Sequence, residues 1–174
     1  MFALGCLFTG CGYHIRADGK PVGVDLRSLA IPLVESTSSS KGFEVDFTRI
    51  LRQEFISHAQ VYIVPKERAQ TVLSGSIYEI TTDALSYNTQ DVTVNGDSKS
   101  YSVTNSRRLK IKLDMRLTER ATGKIIWQDR NMEEKSKFPL GDEPLETRYN
   151  QQKALEMIAR DLAKRIYLKT MERF

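Results

Sequence analysis

The stretch "RRLKIKLDMRLT", residues 107–118, decides the fold. Leu109, Ile111, Leu113, Met115 and Leu117 alternate strictly with Arg108, Lys110, Lys112, Asp114 and Arg116. A period of two places these sets on opposite faces of a β-strand, whereas a helix would smear them around its axis. One face of the strand is therefore buried and the other wet.

Downstream, "ERATGKIIWQDRNME" turns at Thr122-Gly123 and returns with Ile125, Ile126 and Trp127, which makes a hairpin. Upstream, "TVLSGSIYEITTDALSY" (71–87) is rich in Thr, Val, Ile and Tyr and reads as a long strand. Gly75 within it marks a bulge or a close packing point. The connecting residues 88–106 carry the tight-turn pair Asn95-Gly96 and few apolar anchors, and read as a long loop or a protruding hairpin.

Two amphipathic helices flank these strands. In "FEVDFTRILRQEFISHA" (43–59), Phe43, Phe47, Ile50, Leu51 and Phe55 line one face at helical spacing. The preceding "ESTSSSKG" (35–42) is a loop that offers a serine cap. From about Leu145 to Met171, Leu155, Ile158, Leu162 and Ile166 form a second stripe, flanked by Ala154, Ala159 and Ala163. Asp142 or Glu143 can cap this helix, with Pro144 in its first turn, and "KSKFPLGDEPLE" (135–146) reads as the loop before it. "SLAIPLV" (28–34), broken by Pro32, reads as an edge strand, and "VYIV" (61–64) as a brief extended piece ended by Pro65.

The elements assemble as β-α-β-β-β-α. The expected architecture is a two-layer α/β (α+β) sandwich, with two amphipathic helices on one face of a mainly antiparallel four-stranded sheet. Residues 28–174 form this single domain and residues 12–27 a polar, Gly- and Pro-containing lead-in.

Charge is unevenly distributed. Residues 99–130 hold nine Lys or Arg against three acids, a local net charge of +6 in a chain whose total is +4. One reading is a solvated strand face whose lysines block edge-to-edge aggregation. The other is a surface for an anionic ligand, with Lys99, Arg107, Arg108, Lys110, Lys112 and Arg116 as the candidate contacts. Catalysis finds little support. The two histidines, His14 and His58, stand alone in their segments, and no metal-ligand, nucleophile-elbow or phosphate-loop motif is present. No metal or cofactor is expected.

The terminal stretch "MFALGCLFTGCG" is apolar, ends in small residues, and is too short to span a membrane. It reads as the residual end of a signal peptide over residues 1–10. Phe8-Thr9-Gly10-Cys11 matches the last three positions of a bacterial lipobox, with Phe8 where leucine is usual. Cys6 fits less well, because the bulky Leu4 occupies a small-residue position. Cys11 is thus the candidate lipid anchor and residues 11–27 a lipidated tether. The alternative is a buried cysteine or a Cys6–Cys11 disulfide, which would close only a tiny terminal loop. An exported, lipidated protein rarely meets nucleic acid, and the chain shows no aromatic triad for base stacking. Acidic lipid head groups suit the basic hairpin better.

"CGYHIR" after the lipobox, "LAIPLVES", "SGSIYEI", the hairpin "RRLKIKLDMRLTERATGKIIWQ" and the closing "QQKALEMIARDLAKRIY" together resemble the LptE family of lipopolysaccharide-assembly lipoproteins, over about residues 11–170. The resemblance implies a two-layer lipoprotein on the periplasmic face of the outer membrane. It implies a partner, the LptD-type β-barrel translocon, whose lumen the domain plugs and whose folding it assists, and a ligand, lipopolysaccharide. Gly12 beside the lipidated cysteine agrees with outer-membrane sorting. The basic candidates named above rest on charge and position, since no fixed family motif aligns with them. The alternative from another class is an auxiliary lipoprotein of a periplasmic ABC-type lipid transporter.

Overall fold

The computed structural model describes residues 26–38, 42–59, 61–94 and 97–171, with the side chains of residues 90–99 left out of that description. Cys11 lies outside the described residues. Among the described residues, six strands and two helices follow in the order β1 (Ser28–Ala30), β2 (Glu35–Ser36), α1 (Phe43–His58), β3 (Tyr62–Ile63), β4 (Thr71–Val94), β5 (Asp97–Glu119), β6 (Ile125–Pro139) and α2 (Pro144–Met171). A short 3-10 turn at Lys66–Arg68 precedes β4.

The sheet runs β3-β1-β4-β5-β6, with β2 also paired to β4. β4, β5 and β6 form an antiparallel meander, while β1 and β2 pair in parallel with β4, and β3 in parallel with β1. The element order agrees with the sequence reading, but the sheet has six strands rather than four. The anticipated strand over 28–34 is shorter, ending at Ala30 ahead of Pro32, and Glu35–Ser36, in the segment read as a loop, adds a strand of its own. β1 is not the edge. The crossover through α1 brings Tyr62–Ile63 back parallel to Ser28–Leu29 and on its outer side.

Of the two readings of residues 88–106, the structure takes the protruding hairpin, because the β4–β5 ladder continues to Val94 and Asp97. One boundary moves. Residues 135–139 belong to β6 rather than to a loop. Ser106, Arg107 and Arg108 pair with Pro139, Phe138 and Lys137, and Phe138 is buried.

One apolar cluster joins the sheet and both helices. From β5 it takes Leu109, Ile111, Leu113, Met115 and Leu117, all at most 2% exposed. From α1 it takes Phe43, Phe47, Leu51 and Phe55, and from α2 Ala154, Ile158, Ala159, Leu162, Ala163 and Ile166. Phe43 and Phe47 stack at 5.8 Å, and Phe55 meets the Tyr167 ring edge-on at 5.5 Å. The helix cap differs from expectation: Gly42, at φ 106°, is the N-cap of α1 and no side chain caps it. Instead its own backbone N–H donates to the Glu44 carboxylate at 2.9 Å. Thr48 Oγ1 is buried, donates to the Glu44 carbonyl at 2.7 Å and accepts from the Val34 amide at 3.0 Å, tying α1 to the β1–β2 connection.

Candidate functional site

The face of the sheet away from the helices carries the even-numbered residues of β5. Register fixes their neighbours: Arg108 lies between Asp83 and Lys137, Lys110 between Thr81 and Lys135, Lys112 between Glu79 and Glu133, and Arg116 between Ser74 and Gln128. Two of these cations are already engaged. Glu79 accepts from Lys110 at 2.8 Å and from Lys112 at 3.0 Å. Those two hydrogen bonds hold the Glu79 carboxyl below its usual range, and Glu79 in turn raises the Lys110 ammonium. On β6, Lys135 reaches Glu133 at 2.6 Å and holds that carboxyl down in the same way. Asp114 accepts from Gln128 at 3.1 and 3.0 Å. This part of the basic face is a charge ladder rather than a bare cationic patch.

The remaining candidates separate. Arg116 is exposed and its Nε reaches Ser74 Oγ at 3.4 Å. Arg108 is exposed on the open face. Arg107 is also exposed but lies on the opposite face, in register with the buried Phe138 and beyond the cover of the helices. The two adjacent arginines therefore do not form one cluster. Lys99 pairs with Val92 in the ladder, and its side chain is outside the described ones.

Glu79, Asp83, Glu133, Lys135 and Lys137 were missed by reading the basic hairpin alone. They come from neighbouring strands, and only the register brings them beside Arg108 to Lys112. At the other end of the open face, Leu33, Val72 and Ile125 line a shallow groove together with Lys66, Arg116 and Arg120. This surface can attract anions through Arg108, Arg116 and Lys137 and can offer apolar contact in the groove. Among the described residues no group of three or more His, Cys, Asp or Glu is placed to hold a metal. No helix among them is long and apolar enough to cross a membrane.

With this geometry in place, the chain can be set beside known proteins. Its fold is similar to that of an uncharacterised lipoprotein B from Nitrosomonas europaea, with TM-score 0.54 and 10% identity over 92% of this chain and 90% of that one. It is also similar to a hypothetical protein from Chlamydia trachomatis, with TM-score 0.50 and 11% identity over 82% of this chain and 96% of that one. At these identities the likeness establishes the fold alone. A sequence comparison with curated proteins returned no match. The family model described as LptE, lipopolysaccharide-assembly, matches residues 26–170, which take in every element from β1 to α2 up to its last turn. The chain belongs to the LptE lipopolysaccharide-assembly family.

Proposed function

We propose that this chain is a non-enzymatic lipoprotein of the outer membrane, anchored through Cys11 on the periplasmic face. There it sits in the lumen of an LptD-type β-barrel, assists the folding of that barrel and binds lipopolysaccharide on its way to the surface. The observation that carries the reading is the family match over residues 26–170. The structure supports it physically. The lumen of a large outer-membrane barrel is polar. A domain lodged there needs an apolar core of its own and a polar exterior. The large apolar cluster behind Leu109–Leu117 and the charge ladder of Glu79, Lys110 and Lys112 meet those two requirements. Lys99, Arg107, Arg108, Lys110, Lys112 and Arg116 are the proposed lipopolysaccharide contacts, with Arg108 and Arg116 presented on the open face and Arg107 on the other.

The test is purification of the tagged full chain from detergent-extracted outer membranes. One large β-barrel protein in stoichiometric amount is the expected companion. Recovery with an ABC-type transporter complex and no barrel would replace this reading with the transporter alternative.

A further inference from the structure

The two edges of the sheet are treated very differently. β6 closes one side, and its exposed edge is guarded in the ways that prevent strand addition. It carries Arg130, Lys135, Lys137 and a terminal Pro139. α2 reaches over it as well: Arg165 donates to the Glu133 carbonyl at 2.7 Å and Lys169 to Asp129 at 2.7 Å.

On the other side β3 and β1 lie outside β4 at Thr71 and Val72, but beyond β2 the edge is β4 itself, and it has none of this. β2 covers its outer side only at Ser76 and Ile77, with a last bond from the Thr37 amide to the Ile77 carbonyl at 2.9 Å. From Tyr78 to Val94 no strand among the described residues pairs with that side. The sequence there, "YEITTDALSYNTQDVTV", contains no Lys, Arg or Pro. Thr82, Asp83, Ala84, Ser86, Tyr87, Asn88 and Thr89 are all exposed. Two register shifts, at Ile77/Glu79 and after Ala84, bound a regular run from Glu79 to Ala84 whose main chain is a ready template for another strand. Beyond Ser106 the β4–β5 pair also loses β6, and a lone two-stranded ribbon is marginally stable in water until a third strand joins it.

We infer that the outer edge of β4, starting at the Glu79–Ala84 run, is the surface on which an extended segment of the barrel protein adds as a further antiparallel or parallel strand. This rests on the barrel partnership proposed above and names the surface that makes it. A row of alternating N–H and C=O groups is satisfied by another main chain and by little else. The charge of the edge selects the occupant. Its residues charged at neutral pH are Glu79, Asp83 and Asp91, all acidic. Two copies of this chain paired along β4 would bring acids near acids. A segment that presents Lys or Arg to Asp83 is complementary, whereas Glu79 is already occupied by Lys110 and Lys112.

Hydrogen-exchange mass spectrometry with fragment-level resolution, on the free full chain and on its purified complex with the barrel, reads the main chain directly. Alternate amides from Glu79 to Ala84 should exchange about 100-fold or more slowly in the complex, while the β6 edge stays unchanged. Asp83→Asn, which puts no new cation opposite Arg108, should lower barrel recovery at low salt by about threefold, an effect that shrinks as salt rises, with the melting temperature of the free chain little changed. An intact complex without protection at Glu79–Ala84 would overturn the inference and leave the barrel partnership standing. Failure to isolate any barrel complex would overturn both. Equal protection in the free chain, growing with its concentration, would make a second copy the occupant and also overturn the inference.

Discussion

Gly75 lies directly opposite Met115 in the β4–β5 ladder, and a Cβ on Gly75 would collide with the Met115 sulfur and stand 2.5 Å from the Asp114 carbonyl oxygen. The residue is glycine because the neighbouring strand comes too close for any side chain. Met115 is fully buried, and although its thioether can swing aside, the carbonyl cannot. Gly75→Ala is expected to cost about 1–3 kcal/mol. Urea unfolding of the two proteins gives the difference, and equal midpoints would mean that the strands part without strain.

The two faces of β5 should respond in opposite ways to truncation. Leu113 is 0% exposed beneath the helices, so Leu113→Ala should destabilise the domain by about 2–5 kcal/mol. Lys112 shares Glu79 with Lys110 at the partly exposed surface, so Lys112→Ala leaves one of the two ion pairs in place and should change stability little. Thermal melts of both variants would contradict the assignment of faces if the losses were similar.

Asp129 and Lys169 link the β6 edge to α2 at 2.7 Å. Burial pushes the Asp129 carboxyl up, but the Lys169 ammonium, the Asn131 amide and Arg165 outweigh it and hold the group below its ordinary value of 3.8. A lowered folded pKa means that the stabilisation is present above the unfolded value and is lost as pH falls through the folded one. Asp129→Asn should therefore flatten the stability curve below about pH 4, by less than about 1 kcal/mol because the pair is partly exposed. Chemical denaturation repeated from neutral to acid pH tests this, and an unchanged acid limb would refute it.

Arg107 and Arg108 project from opposite faces, so lipopolysaccharide binding should distinguish them. Arg108→Glu, on the open face, should weaken binding by about tenfold, as loss of a charge-assisted contact does, and Arg107→Glu, on the other face, should weaken it less. Wild-type affinity should fall with added salt. Titration of the non-acylated protein with purified lipopolysaccharide reads both effects. Equal affinity in the wild type and both variants would reduce the basic hairpin to a solvated sheet face.

Acylation of Cys11 is expected to hold the protein on the membrane, since each buried methylene of an acyl chain contributes about 0.8 kcal/mol. Cys11→Ser should release a folded domain into the periplasmic fraction. Mass spectrometry of the mature wild-type protein that found an unmodified thiol at Cys11 would end this expectation.

Features that depend on neighbours a few residues apart are legible in the amino-acid order. The period-two pattern of Leu109 to Leu117 set the buried face of β5, and the stripes of Phe43 to Phe55 and Ile158 to Ile166 set the helices, because each periodicity belongs to one backbone geometry. Even the opposition of Arg107 and Arg108 follows from that parity, since Arg107 falls in step with Leu109. Only the tertiary structure decided pairings between distant segments. That Glu79 pairs with both Lys110 and Lys112 depends on a register across 31 to 33 residues, set by the bulge after Ile77. That Tyr62–Ile63 becomes an outer strand depends on how α1 crosses the sheet. "KSKFP" looks like a loop until pairing with Ser106–Arg108 carries Phe138 into the core. Local preference acts through φ, ψ and side-chain spacing, whereas register and partner are settled by burial summed over the whole apolar cluster, which no short window of sequence contains.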